Sequence, residues 1–146
     1  MSMTPERLQE IIDTSEFDSW LGLSVLELQE NRLEVRMPFR EEIVGTPKVN
    51  RLHGGALASL IDATGCYLLI AALNKRVSTV NMLIDYMRPC HGEMVAVAQI
   101  AKRGRQICNV NVTVTDKDGK EVAAGRLCVM PSSVTVGAEE HAARIA

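Results

Sequence analysis

Apolar positions recur along this chain with two different periods. Leu8, Ile11 and Ile12 fall on one helical face behind Thr4-Pro5-Glu6, where a threonine cap, a proline at the first helical position and an early acid open a helix. This predicts a short amphipathic helix to about Ser15, with Phe17 and Trp20 anchoring its exit. From there the period becomes two. Leu23 to Leu28 reads as a strand; after Gln29-Glu30-Asn31, Leu33, Val35 and Met37 alternate with Arg32, Glu34 and Arg36, which predicts a hairpin with one wet face.

Residues 38–52 open on Pro38 and contain Gly45 and Pro47, and they read as an irregular loop. Residues 55–73 then form an apolar run with a single charged side chain, Asp62. Such a run predicts a helix apolar almost all round, from about Gly54 to Leu73, stopped by Asn74-Lys75-Arg76. At ~1.5 Å per residue it spans about 30 Å, the axis of a small domain. Its length approaches the ~20 residues of a bilayer span, but its Ala, Ser, Thr and Gly content, its central acid and its lack of one-sided basic flanks argue against one.

Four strand-like segments follow: Val77 to Met87, Glu93 to Ala101, Gln106 to Thr115 and Glu121 to Met130. The turns between them are Arg88-Pro89-Cys90-His91-Gly92, Lys102-Arg103-Gly104-Arg105 and Asp116-Lys117-Asp118-Gly119. The class is therefore α+β: a helix, two strands, a long buried helix and a four-stranded antiparallel meander. Residues 1–19 carry the N-terminal helix, 20–131 the main domain and 132–146 a small, charged, partly disordered tail.

Composition removes several functions. With 146 residues the chain fits one domain, and a net charge of −2 with 3% aromatic residues offers neither the basic footprint nor the stacking platforms of a nucleic-acid binder. Cys66, Cys90, Cys108 and Cys128 are scattered and match no metal-ligand spacing, so they read as small buried hydrophobes in a reducing compartment. The N-terminus carries charges where an export signal needs an apolar core, which makes a cytoplasmic location the expectation.

Asp62 is the residue to explain first, because a carboxylate in apolar surroundings must be hydrogen-bonded, neutralised or put to use. Directly before the run stands His53-Gly54-Gly55, whose glycines leave backbone N–H groups open at the positive end of the helix dipole. The pairing points to chemistry at a polarised oxygen.

The loop, His53-Gly54-Gly55, Asp62 nine residues after the histidine, and the strand Val80-Asn81-Met82-Leu83-Ile84-Asp85-Tyr86-Met87-Arg88-Pro89 together resemble the hotdog-fold acyl-CoA thioesterases of the phenylacetate-degradation (PaaI-like) type. The resemblance covers about residues 20–131. It implies a curved antiparallel sheet wrapped around the central helix, and a homodimer whose sheets join edge to edge through Val77 to Met87, often paired again into a tetramer. By position, Asp62 matches the family's catalytic acid, Gly54 its carbonyl-polarising amide, and Thr79 a hydroxyl that assists the attacking water. Gly55, Tyr86 and the turn Lys102, Arg103, Gly104, Arg105 and Gln106 match coenzyme A contacts, and no cofactor or metal beyond the coenzyme A of the substrate is implied. One position departs: relatives carry an Asn six residues before the histidine, and this chain has Pro47 there, with Thr46 and Asn50 the nearest polar residues.

Gly54 and Asp62 lie eight positions apart, about 12 Å along one helix, whereas an oxyanion donor must come within about 3 Å of the carbonyl that the water attacks. One chain cannot readily supply both groups to one substrate, so the simplest site takes Asp62 from a partner subunit, giving two equivalent sites on a two-fold axis. Asp62 then acts as general base, or as a nucleophile forming an anhydride. His53 caps the helix or touches substrate. Two other functions fit the same residues: a non-catalytic acyl-CoA binding module, and a hotdog hydratase or dehydratase of acyl thioesters.

Overall fold

A computed structural model of the chain describes residues 2–137. Helix α1 (Pro5–Asp13) starts where the cap pattern predicts, with the Thr4 hydroxyl accepting from the Arg7 N–H, and buries Leu8, Ile11 and Ile12. A second helix follows that the periodicity did not suggest. Helix α2 (Glu16–Leu21) is capped by Ser15 and closed by Gly22 in the left-handed region at φ 73°, so Phe17 and Trp20 ride on a helix instead of ending one. Neither ring is an anchor: Phe17 is 55% and Trp20 43% exposed. The rings stack on each other at 6.3 Å, and the Arg40 guanidinium lies 4.1 Å over Trp20.

One antiparallel sheet holds the rest. Its strands are β1 (Ser24–Gln29), β2 (Arg32–Met37), β5 (Lys75–Tyr86), β6 (Met94–Arg103), β7 (Cys108–Asp116) and β8 (Glu121–Thr135), in spatial order β1-β2-β6-β7-β8-β5. The stretch expected as a loop, residues 38–52, contains two 3-10 turns and a small hairpin of β3 (Val44–Thr46) and β4 (Arg51–Leu52). The strand β8 also runs past residue 132, where a tail was expected, because Lys75 pairs with Thr135 and Val77 with Pro131. His141 and the rest of that tail from 138 onward lie outside the described residues.

Helix α3 (Gly54–Leu73) matches its expected bounds and lies across the sheet. Leu57, Leu60, Ile61, Leu68 and Leu69 are buried beneath it, facing Leu33, Val35, Met37, Val110, Val112, Val114 and Leu127 from the strands. It is the one helix among the described residues long and apolar enough to cross a membrane, and its apolar surface is used inside the fold. Asn74 ends it in the left-handed region at φ 51°. At Gly125 in β8 and Gly65 in α3 the layers meet so closely that a Cβ would lie 2.6 Å from Ile61 Cγ2 and 2.8 Å from Leu127 Cδ2.

The sheet has two edges. At β1, the side-chain amide of Gln9 in α1 bonds the Leu23 carbonyl and the Val25 N–H, imitating a strand partner. At β5, twelve residues long, the outer side pairs with nothing among the described residues. Val80, Leu83 and Tyr86 of this strand are exposed, and Met87 just beyond it.

Candidate active site

Two groups of residues, both carried by α3, define the site. The first is its N-terminus. His53 is the cap: its Nδ1 accepts the Gly55 N–H at 2.8 Å, and its carbonyl accepts the Ala56 N–H at 3.0 Å. Acceptance through Nδ1 puts the proton of a neutral ring on Nε2. These bonds occupy the second and third amides of the helix and leave the first, Gly54 N–H, pointing out at the positive dipole end. Tyr86, from the far end of β5, donates its hydroxyl to the Gly54 carbonyl at 2.8 Å, and a Cβ on residue 54 would come 3.3 Å from the tyrosine ring. A cavity of about 330 Å³ opens beside them, lined by Gly54, Leu57, Tyr86, Arg51 and Arg88.

The second group lies two turns further along. Thr79 of β5 donates its hydroxyl to Asp62 Oδ1 at 2.6 Å, a short charge-assisted bond. Cys66, one turn beyond Asp62 on the same face, places its Sγ 3.1 Å from Thr79 Oγ1 and 3.8 Å from Asp62 Oδ1. Burial pushes the Cys66 thiol up to about 12, with the negative charge of Asp62 acting in the same direction, so the sulfur is a neutral S–H and no nucleophile at physiological pH. The second Asp62 oxygen accepts no hydrogen bond from the described residues. The half-buried carboxylate lines a cavity of about 340 Å³ roofed by Phe17 and Asp18 of α2 and flanked by Tyr67, Ile70 and Arg76.

Tyr67 donates to Asp18 Oδ2 at 2.6 Å, tying α2 over the cavity; burial, with Asp18 beside it, holds the phenol well above the usual tyrosine range. Sequence reading gave Tyr67, Asp18 and Arg76 no site role and took Cys66 for a small buried hydrophobe, whereas it is half-buried beside Asp62. For Cys66 the signal was present, four residues from Asp62 on a helix. Asp18 depended on recognising Ser15 and Gly22 as the two ends of a second helix.

Within the chain the structure unites Asp62 with Thr79, and separately His53, Gly54 and Gly55 with Tyr86. The two cavities share no lining residue. The segment Lys102 to Gln106 joins neither. Lys102 and Arg103 belong to β6 instead of a turn, and Arg103 donates to the Glu30 carbonyl and to Asn31 Oδ1 at the opposite end of α3. Gly104 has a structural reason, since a Cβ there would strike the Ile107 carbonyl. Near Pro47, Thr46 accepts from Arg51, and the Asn50 carbonyl bonds His91 at 3.0 Å; neither contacts Asp62.

Residues 50–123, which contain both groups, match the model of the thioesterase superfamily. The chain belongs to this superfamily. A solved structure of a thioesterase-superfamily protein is 32% identical, superposes with a TM-score of 0.83, and is matched over 88% of this chain and 97% of that one. The PaaI protein of Escherichia coli, from its phenylacetic acid degradation operon, has a TM-score of 0.81 over 89% of this chain and 94% of its own, and at 20% identity it shows the shared hotdog fold. Acyl-coenzyme A thioesterase 13 of Mus musculus is 35% identical over 85 residues, 56% of this chain and 61% of the relative. The chain is a thioester hydrolase built on the hotdog fold.

Proposed function

We propose that this thioesterase is a cytoplasmic, PaaI-like enzyme that hydrolyses acyl-coenzyme A with small, aromatic or medium-chain acyl groups. The observation that carries the reading is the Asp62 carboxylate, which lines a cavity and has one oxygen held by Thr79 and the other free of hydrogen bonds from the described residues. A water bound to that second oxygen can be deprotonated as it attacks. Thr79 has one proton and spends it on Asp62, so it serves the water through a lone pair. Two acceptors then hold the two hydrogens of the water and turn its oxygen lone pair outward, toward a carbonyl.

The carbonyl needs a donor that this chain cannot bring there itself, because the Gly54 N–H lies about 12 Å away along α3. The open edge of β5 supports a homodimer as the solution, with Gly54 of one subunit facing Asp62 of the other across a two-fold axis. In such a pair His53 and Gly55 shape the helix tip. Tyr86, Lys102, Arg103, Gly104, Arg105 and Gln106 are the proposed coenzyme A contacts, with the exposed Lys102 and Arg105 suited to its phosphates. Such dimers pair further into a dimer of dimers.

Thiol release from a panel of acyl-CoA thioesters tests this. Asp62→Asn keeps the acceptor for Thr79 but loses the base, and kcat is expected to fall about 10²- to 10⁴-fold with the dimer intact by sedimentation. Turnover retained in this variant overturns the assignment of Asp62. Acyl-CoA bound without turnover by the wild type marks a binding module, and an enoyl-CoA hydrated without thiol release marks a hydratase. Single turnover in ¹⁸O-water labels only the released acid if Asp62 is a base, and labels the protein if an anhydride opens at its carboxyl carbon.

A further inference from the structure

We propose that Cys66 is a positioning residue of the Asp62 site, its S–H holding the Thr79 hydroxyl in the rotation that delivers the threonine proton to the carboxylate. The inference rests on Asp62 and Thr79 acting as described above. Three atoms form a closed triangle: Thr79 Oγ1 to Asp62 Oδ1 at 2.6 Å, Cys66 Sγ to Thr79 Oγ1 at 3.1 Å, and Cys66 Sγ to Asp62 Oδ1 at 3.8 Å.

The direction of each bond follows from the groups. An ionised carboxylate only accepts, so the single Thr79 proton points at Asp62. Between sulfur and Thr79 the donor must then be the thiol, which its burial keeps protonated. Of its two possible acceptors the thiol lies closer to Thr79.

A threonine hydroxyl turns about its C–O bond and donates to whatever acceptor is best placed, including the water in the cavity. An S–H aimed at one of its lone pairs removes that freedom: only the rotation with the proton on Asp62 satisfies both neighbours. The other lone pair stays open for the water. The backbone contributes to the same end, since β5 shifts register against β8 between Thr79 and Asn81, a bulge of the kind that re-aims a side chain. The relay thus crosses from helix to strand and back, with Cys66 and Asp62 on α3 and Thr79 between them on β5.

The test is a double-mutant cycle on kcat and KM with an acyl-CoA that the wild type hydrolyses, using Cys66→Ala, Thr79→Val and both together. Cys66→Ala is expected to lower kcat about 3- to 10-fold with KM unchanged, the size of one net hydrogen bond. In the Thr79→Val background the same change is expected to alter kcat by less than about twofold, because the group it acts through is gone. Cys66→Ser, which restores a donor, is expected to recover most of the loss. Cys66→Val fills the sulfur's volume without a donor and should reproduce the alanine result, so poor folding of one variant leaves the other to decide. Equal losses in both backgrounds, or unchanged kcat in both the alanine and valine variants, overturn the proposal. A general-base reading that fails shows separately, as turnover retained by Asp62→Asn.

Discussion

Gly125 is where the packing of the sheet reaches the chemistry. It sits mid-strand in β8, paired with Ile84 of β5 and Val112 of β7, directly under Ile61 of α3. In Gly125→Ala the new methyl would lie 2.6 Å from Ile61 Cγ2. Carbon atoms settle at about 3.5–4.0 Å, so Ile61 and its helix must retreat by about 1 Å. Ile61 is fully buried and β-branched, which leaves it little room to swing aside. Overpacking of this kind costs about 1–3 kcal/mol, against about 0.4–1 kcal/mol gained because alanine has less unfolded freedom than glycine. The expected net loss is about 1–2 kcal/mol, read as a lower urea midpoint at fixed protomer concentration.

The same retreat carries Asp62, the next residue, away from Thr79. A shift of about 1 Å at reacting groups can cost up to about 10²-fold in rate, so kcat should fall further than stability alone explains. Ile61→Ala removes the atoms that clash; alone it costs about 2–5 kcal/mol, but combined with Gly125→Ala the total should fall short of the sum by at least about 0.5 kcal/mol. Strict additivity, or a Gly125→Ala protein as stable as wild type, would refute the reasoning.

Two further outcomes follow from the Asp62 cavity. Tyr67→Phe removes the 2.6 Å bond to Asp18 and should cost about 1–3 kcal/mol while speeding hydrogen exchange in α2 more than in α3; equal exchange in α2 of both proteins would show that the bond does not hold this helix. Burial raises the Cys66 thiol from 9.0 to about 12, so the unfolded chain releases this proton first as pH rises. The stability it contributes is complete below pH 9 and is lost toward pH 12, at about 1.4 kcal/mol per pH unit. Urea midpoints across that window should fall more steeply for wild type than for Cys66→Ala, and parallel slopes would contradict the burial of the thiol.

Local pattern decided more of this protein than its length suggests. The bounds of α3, its stop at Asn74, the cap at Thr4 and the alternating faces of β7 were all legible, because capping, helix termination and strand alternation depend on residues a few positions apart. Asp62 announced itself as a lone charge in an apolar run, and His53-Gly54-Gly55 as a helix entrance with free amides. Where local signals were weak or compete, the reading missed: α2 is only six residues long, and β3 and β4 hide among 3-10 turns.

Tertiary structure alone decided which distant residues meet. Thr79 reaches Asp62 because β5 crosses to the far side of β8 and packs there against α3, and Asp18 reaches Tyr67 because α2 folds over the same helix; no spacing in the chain encodes either encounter. It likewise separated the Lys102 to Gln106 segment from both α3 groups within a chain, and left β5 as an open edge. Periodicity shows which face of an element is apolar, but the contact across that face is chosen by how all the elements pack at once, and it is those contacts that turn an isolated acid into a site.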